Sequence, residues 1–156
     1  MTEVVTEPTA PALPVEAGSG SRHVYHRQIR FADIDAHGHV NNARFLEYLE
    51  DARIDLYLGF AGALREDSDG LPSVGFVIVR HEVAYRKPLK FRDRAVRIES
   101  WVTKVSWASC ELAGEVRSAD EVFLEARSTA APVDPDTGKP RRFTVPERAF
   151  LEGYLI

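Results

Sequence analysis

The sequence contains a single cysteine, Cys110. One cysteine cannot close a disulfide within the chain, so the sequence predicts a protein of a reducing compartment, and we expect it in the cytoplasm. Cys110 lies in a run with strand-like alternation and has no histidine near it in sequence. A thiol nucleophile is therefore not expected.

Long apolar runs are also absent. No segment approaches the roughly 20 apolar residues that a membrane-spanning helix requires, so we expect no membrane partner. The first 21 residues contain three of the nine prolines and no lysine or arginine, and they lack a continuous apolar run of signal-peptide length. The sequence therefore predicts a disordered tail over residues 1–21 and one folded domain over residues 22–156.

The sequence also lacks an excess of basic residues. The formal net charge is −4, which disfavours a nucleic-acid-binding surface. One local basic cluster does occur in YRKPLKFRDR, residues 85–94, where five basic side chains accompany a single acid. Such a cluster fits the phosphates of a nucleotide, and it fits a solvated loop between two strands about as well.

The periodicity of apolar residues predicts a strand, a long helix, four further strands and a short helix. Residues 23–32 alternate as in a strand, and the spacing of apolar residues from Asn41 to about Gly59 is helical. After a polar linker at residues 65–70, strand-like segments occupy residues 73–86, 94–104, 106–117 and 121–133, and Pro146 opens the last helix. Successive strands imply antiparallel pairing. We predict an α+β fold in which an antiparallel sheet of about five strands wraps around the long helix.

Polar residues are concentrated in FADIDAHGHVNNARFLEY, residues 31–48, at the predicted start of the long helix. A helix N-terminus offers unpaired N–H groups and the positive end of the helix dipole, which together stabilise negative charge on a carbonyl oxygen. Asn42 lies at that end, and either Asn41 or Asn42 suits the N-cap by residue type. Gly38 permits a positive φ or a close backbone approach to a substrate in the preceding turn.

Asp35 is the only acid between Asp33 and Glu47, and it precedes the helix by about one turn. Its carboxylate can attack a carbonyl directly or deprotonate a water, and the sequence does not choose between these roles. From the residues alone, the simpler interpretation is an acid that caps a turn or is stabilised by the helix dipole. Asp33 is interpreted as a structural turn residue.

The two histidines of this stretch can act as acids, bases or hydrogen-bonding groups. His39 is the better placed, because it borders the helix start, although a histidine that donates to a backbone carbonyl is the commoner outcome. Alternating Asp33, Asp35, His37 and His39 would suit zinc or iron, but the glycine and the helix should break that geometry, so no metal is expected. Glu47 lies about a turn and a half into the helix and can face either the same pocket or solvent.

The order of the elements and the run DIDAHGHVNN resemble the hotdog-fold acyl-CoA thioesterases of the 4-hydroxybenzoyl-CoA thioesterase type, over residues 23 to about 150. The resemblance implies that Asp35 is the catalytic carboxylate and that the backbone N–H of Asn42 polarises the thioester carbonyl. It also implies an acyl-CoA substrate and a homodimer or homotetramer with its sites between subunits. Ala36 stands where some members have proline, which leaves the acyl specificity open.

We therefore predict an acyl-CoA thioesterase that releases the free acid and coenzyme A without a cofactor. The predicted catalytic residues are Asp35, Asn42 and His39, and the predicted substrate-binding residues are Gly38, Asn41, Glu47, Arg86 and Arg92. Two alternatives stay open: a non-catalytic acyl-CoA-binding module and a hotdog hydratase acting on enoyl thioesters. The sequence does not distinguish coenzyme A from acyl carrier protein, or a dimer from a tetramer.

Overall fold

The computed structural model describes residues 20–60, 65–66, 72–73, 75–93 and 95–156. The expected tail over residues 1–21 lies almost wholly outside this range. The elements in chain order are β1 (His23–Gln28), α1 (Asn42–Leu58), β2 (Arg65–Glu66), β3 (Pro72–Ser73), β4 (Phe76–Tyr85), β5 (Ala95–Val105), β6 (Cys110–Arg117), β7 (Val122–Pro132) and α2 (Val145–Glu152). No helix of the described part has the length and apolar character needed to cross a membrane.

Five of the strands form one antiparallel sheet in the order β1-β5-β6-β7-β4. The prediction of an α+β fold with about five antiparallel strands is confirmed. The short strands β2 and β3 pair with each other in a separate ladder. β1 and β4 are the two edges of the large sheet.

The helix α1 packs on β1, β5 and β6. Its buried residues, among them Phe45, Leu49 and Leu56, recur every three or four positions and so share one face. Ile98 of β5 and Val116 of β6 belong to the same core cluster as Phe45 and Leu49. Each large side chain buried in this way contributes roughly 1.5–3 kcal/mol, so this face holds α1 against the sheet.

Several boundaries differ from the sequence-based prediction. The predicted strand 73–86 is observed as β4, which begins at Phe76, while Ser73 belongs to β3. β1 ends at Gln28 because residues Phe31–Asp33 form a turn of 3₁₀ helix. β6 begins at Cys110 because the preceding residues form a tight turn, closed by a hydrogen bond of 2.8 Å from Ser106 N to Ser109 O. The first two residues of the expected polar linker, 65–70, form strand β2, and the rest lie outside the described residues.

Candidate active site

A tight turn over residues 34–40 precedes the start of α1. Ile34 and Val40 form an antiparallel bridge, and inside it Asp35 N donates to His39 O at 3.1 Å and Gly38 N donates to Asp35 O at 3.0 Å. Gly38 has a φ of +82°, a conformation that disfavours any residue with a Cβ. The space where its Cβ would lie is open, so the backbone at this turn can be approached from solvent.

The carboxylate of Asp35 lies next to the start of α1. Its Oδ1 accepts a hydrogen bond of 2.9 Å from His37 N. Its Oδ2 lies 3.5 Å from Nδ2 of Asn41, which donates to it. Asp35 is partly exposed. One carboxylate oxygen is therefore held by the turn, while the other is oriented towards the helix N-terminus.

Asn41 is the N-cap of α1. Its side-chain oxygen accepts from Ala43 N at 2.9 Å, and its backbone oxygen accepts from Arg44 N, also at 2.9 Å. Asn42 is the first helical residue, a position whose N–H has no partner within the helix. The backbone oxygen of Asn42 accepts a hydrogen bond of 3.1 Å from the hydroxyl of Tyr85. Asn42, an exposed residue, therefore opens the helix directly after the asparagine whose side chain contacts Asp35.

A cleft of about 200 Å³ opens at this helix end. It is lined by His39, Val40, Asn42, Phe45, Tyr85, Arg86, Lys87 and Pro88. His39 stacks on the ring of His37, with its Nδ1 3.4 Å from Val40 O. The cleft brings together His39 and Asn42 from one part of the chain and Arg86 from another.

Asp33 is a structural carboxylate, as interpreted from the sequence. It is 1% exposed and accepts from the Tyr48 hydroxyl at 2.6 Å and from Nη2 of Arg30 at 2.9 Å. Burial alone would raise the pKa of Asp33, but these hydrogen bonds outweigh it and hold the pKa below its usual range. Burial and the bond to Asp33 raise the pKa of Tyr48. Asp33 is thus buried in the interior and does not line the cleft.

Among the predicted site residues, His39, Asn42 and Arg86 line the cleft. Asp35, Gly38 and Asn41 lie in the adjacent turn and cap and are not part of its lining, and neither are Glu47 and Arg92. Oε1 of Glu47 accepts from Nη1 of Arg44 at 2.6 Å, one turn earlier on α1. Arg92 is exposed in a separate turn of 3₁₀ helix, Phe91–Asp93. The local period of a helix places Glu47 beside Arg44, and this contact competes with any role in the cleft.

The basic cluster has acidic partners that the local sequence does not show. Arg86 donates to Glu125 through Nε at 2.9 Å and Nη2 at 2.5 Å. Lys87 pairs with Glu121 at 2.9 Å. Glu125 belongs to β7, the strand that pairs with β4, and Glu121 directly precedes that strand. A phosphate that binds at Arg86 must therefore compete with Glu125.

Two further sequence-based expectations concern metal and thiol chemistry. Within the described residues, no group of three or more histidine, cysteine or acidic side chains is close enough to hold a metal ion. Cys110 is buried, and burial raises the pKa of its thiol to about 12. The thiolate that a nucleophilic role requires is therefore strongly disfavoured.

Tyr85 is one of the cleft residues that the sequence did not predict. It lies 43 positions from Asn42 and reaches it because β4 ends beside the start of α1. Its ring also packs edge-on against Phe45, with centroids 5.8 Å apart. No local pattern identifies this contact, since it depends on strand order.

Solved thioesterases share this arrangement of elements. A predicted thioesterase from Bacillus stearothermophilus matches with a TM-score of 0.76 at 20% identity, covering 87% of this chain and 98% of its own. A thioesterase from Thermus thermophilus, solved with coenzyme A and Zn, matches with a TM-score of 0.71 at 23% identity, covering 84% and 92%. The structure therefore has the same α+β fold as these solved thioesterases.

The family follows from the sequence match. The model of the thioesterase-like superfamily matches residues 29–149, and the chain belongs to that family. The long-chain acyl-CoA thioesterase FadM of Escherichia coli (strain K12) is 37% identical over 71 residues, which is 42% of this chain and 48% of FadM. The match thus spans about half the length of that relative. The resemblance inferred from DIDAHGHVNN is confirmed at the level of the family.

Proposed function

We propose that this protein is an acyl-CoA thioesterase whose reaction takes place at the N-terminus of α1. The observation that carries the proposal is the position of the Asp35 carboxylate, with Oδ2 3.5 Å from the N-cap side chain of Asn41. A carboxylate and a helix N-terminus next to each other supply the two things that thioester hydrolysis needs: a nucleophile or base, and a place for negative charge on the carbonyl oxygen.

In the proposed reaction, the thioester carbonyl accepts a hydrogen bond from the Asn42 amide. Asp35 then either attacks the carbonyl carbon, to form a mixed anhydride that water hydrolyses, or removes a proton from the attacking water. In both routes the C–S bond breaks, the thiolate of coenzyme A leaves and takes up a proton, and the free acid is formed. The dipole of α1 stabilises the oxyanion without any reorganisation of the protein.

The other candidate residues act on the substrate in this proposal. His39 lines the cleft and is available to hydrogen-bond the thioester or the leaving group. Gly38 leaves room for the substrate to approach the turn, and Asn41 orients the Asp35 carboxylate. Arg86 and, further away, Arg92 are proposed to bind the phosphates of coenzyme A. The thioesterase from Thermus thermophilus binds coenzyme A, which supports this class of ligand here.

We further propose a homo-oligomer in which the sheet wraps around α1 and a second copy completes the cleft. β4 pairs with β7 on one side and forms a sheet edge on the other. Val77 and Val79 on β4 are 42% and 61% exposed. An exposed edge strand with apolar side chains favours pairing with another strand, here the β4 of a second copy. We expect the assembly to act in the cytoplasm.

The test is thiol release from a panel of acyl-CoAs of graded length. We expect Asp35→Asn to lower kcat/KM by at least about 100-fold, because a positioned base or nucleophile contributes this much or more. The matched control is Asp120→Asn, which changes an exposed acid in the turn between β6 and β7. Circular dichroism of both variants checks that the fold is kept.

Each alternative outcome has a distinct meaning. Equal turnover by Asp35→Asn and the wild type would refute the role of Asp35. Tight binding of acyl-CoA without thiol release would support a binding module instead, and hydration of crotonyl-CoA would support a hydratase. Incorporation of ¹⁸O from labelled water into Asp35 would identify the anhydride route, because water that attacks the aspartyl carbonyl of the anhydride leaves its oxygen on Asp35.

A further inference from the structure

Two phenylalanine side chains meet on the surface beside the turn that carries Asp35. Phe31 begins the 3₁₀ turn Phe31–Asp33, and Phe91 begins the 3₁₀ turn Phe91–Asp93. Their rings pack edge to face, with centroids 5.8 Å apart and planes at 87°. Phe31 is 78% exposed and Phe91 is 38% exposed. An aromatic side chain that is mostly exposed gains little from burial, so the ring surface of Phe31 is available to a ligand.

Backbone contacts connect this aromatic pair to the cleft. Val40, which lines the cleft, donates from its N to Leu89 O at 2.8 Å and forms the bridge to Ile34. Leu89 is two positions from Phe91, and Ile34 is three positions from Phe31. Segments of two and three residues span at most about 7 Å and 11 Å, so the aromatic pair lies close to the cleft wall at Val40.

The chain itself leads from the cleft to the aromatic pair. Lys87 and Pro88 line the cleft, and the chain continues from Pro88 to Phe91 within three residues. A ligand arm that leaves a thioester at Asn42 along this segment passes Lys87 and then arrives at the aromatic rings. The pair is therefore placed to contact a part of the substrate that is remote from the thioester.

Arginine side chains flank the aromatic pair on both sides. Arg30 directly precedes Phe31, Arg92 directly follows Phe91, and both arginines are exposed. Asp33 holds the Arg30 guanidinium through Nη2 at 2.9 Å, while 57% of that side chain remains exposed. A guanidinium has five N–H donors and this contact uses one of its nitrogens, so donors remain for an anion.

Aromatic rings next to arginines select a planar base that is attached to phosphate. A base stacks on an aromatic ring whatever its hydrogen-bonding pattern, and arginine binds phosphate through paired N–H donors. Coenzyme A carries such a nucleotide at the end of its pantetheine arm that is remote from the thioester. An acyl carrier protein carries a phosphopantetheine arm on a serine and has no base there. The aromatic pair therefore suits coenzyme A better than an acyl carrier protein.

We propose that Phe31 and Phe91, with Arg30 and Arg92, bind the adenine nucleotide of coenzyme A, and that this contact makes coenzyme A the preferred acyl carrier. The inference rests on the proposed thioesterase function, because the thioester at Asn42 fixes the other end of the ligand. Adenine stacks on the exposed ring of Phe31, and the arginines bind the phosphates. The site contributes to binding and takes no part in the hydrolysis.

The test compares three substrates with the same acyl group: acyl-CoA, acyl-pantetheine, which lacks the nucleotide, and the acyl thioester of acyl carrier protein. The wild type should have a KM about 10-fold lower for acyl-CoA than for acyl-pantetheine, since stacking of one base on an aromatic ring contributes about this factor. Phe31→Ala should raise the KM for acyl-CoA by a similar factor with kcat kept. Its KM for acyl-pantetheine should stay unchanged, because that substrate has no base.

The matched control is Trp107→Ala, which removes an aromatic side chain that is 73% exposed in the turn before β6. Its KM values should equal those of the wild type. Phe31→Tyr keeps a ring at position 31 and should keep the low KM for acyl-CoA. Phe91→Ala provides a second variant if Phe31→Ala fails to fold, and it should also raise this KM.

Adenosine 3′,5′-bisphosphate gives a measurement that does not depend on the thioester. We expect it to inhibit acyl-CoA hydrolysis competitively, with an inhibition constant about 10-fold higher for Phe31→Ala than for the wild type. Calorimetric titration with the same compound measures this change in affinity without turnover. Equal affinity of the two proteins would overturn the stacking role of Phe31.

The outcomes separate this inference from the function on which it rests. No thiol release from any of the three substrates would refute the thioesterase proposal itself. Release from acyl-CoA and acyl-pantetheine with equal KM would leave the thioesterase in place and overturn the nucleotide site. A smaller assembly of Phe31→Ala in light scattering would also overturn it, since the pair would then be a contact between copies. Equally efficient hydrolysis of the acyl carrier protein thioester would overturn the carrier preference.

Discussion

Asp33 and Asp35 have the same side chain and opposite surroundings. Asp33 is buried beneath the start of α1, and its oxygens are occupied by Tyr48 and Arg30. Asp35 is partly exposed, and only the turn and the N-cap side chain contact its carboxylate among the described residues. A buried carboxylate whose oxygens already accept hydrogen bonds stabilises the fold. A partly exposed carboxylate with few hydrogen bonds is available to contact a substrate.

Replacement of Asp33 should reduce stability in a pH-dependent way. We expect Asp33→Asn to lower the free energy of unfolding by about 2 kcal/mol at neutral pH, since it removes charge-assisted hydrogen bonds. Because the pKa of Asp33 is lowered in the folded state, its contribution is present above the unfolded pKa, near 4, and is lost as the pH falls through the folded value. Urea denaturation of both proteins from pH 7 to pH 2.5 measures this.

The control for this experiment is Asp120→Asn, an exposed acid, which should leave the unfolding free energy within about 0.5 kcal/mol of the wild type. The difference between wild type and Asp33→Asn should narrow below about pH 4. A difference that stays constant over the whole range would show that the ionised carboxylate is not what stabilises this position.

At the scale of the elements, the start of α1 is set by one asparagine. Asn41 has extended backbone angles, φ −60° and ψ 141°, and its side chain accepts from Ala43 N. The next residue, Asn42, already belongs to the helix. The sequence allowed either asparagine to be the cap, and the backbone of Asn41 decides it, because a cap residue must lie outside the helical region.

Removal of the cap should weaken the helix start. We expect Asn41→Ala to lower the free energy of unfolding by about 1 kcal/mol, while Asn41→Ser, which can still cap, should recover most of the loss. Asn42→Ala is the matched control, since it lies one position inside the helix and makes no cap bond. Urea denaturation measures all three. Equal stability of Asn41→Ala and Asn41→Ser would contradict the capping role.

At the scale of the whole molecule, β4 connects the site with the proposed assembly. Its last residue, Tyr85, reaches the helix start, and Val79 lies exposed along the same edge strand. If two copies pair through β4, a change at this edge alters the assembly. It can alter the cleft as well, because the strand belongs to both.

We expect a charge at the β4 edge to dissociate the assembly. Val79→Arg should shift the mass measured by light scattering after size exclusion from that of a dimer or tetramer towards a smaller species, because a buried unpaired charge is costly. The control is Val24→Arg on β1, the opposite edge of the sheet, where Val24 is 42% exposed. A wild type that is itself monomeric, or an assembly that only Val24→Arg disrupts, would refute pairing through β4.

Much of the fold and part of the site could be predicted because their signals are local. The spacing of Phe45, Leu49 and Leu56 indicates a helix, and DIDAHGHVNN indicates a polar turn at its start. The contacts of Arg86 were not predictable. Its partner, Glu125, is 39 positions away on a neighbouring strand, and the sequence around Arg86 offers no sign of it.

The sequence by itself determined the order of the elements, the face of α1 that is buried and the family to which the chain belongs. Helical periodicity, strand alternation and helix capping each depend on a few neighbouring residues, so the sequence alone predicts them. The tertiary structure alone decided that the Tyr85 hydroxyl donates to the backbone oxygen of Asn42 and that Arg86 pairs with Glu125. These contacts depend on strand register and on how α1 lies across the sheet, which are set by packing over the whole core.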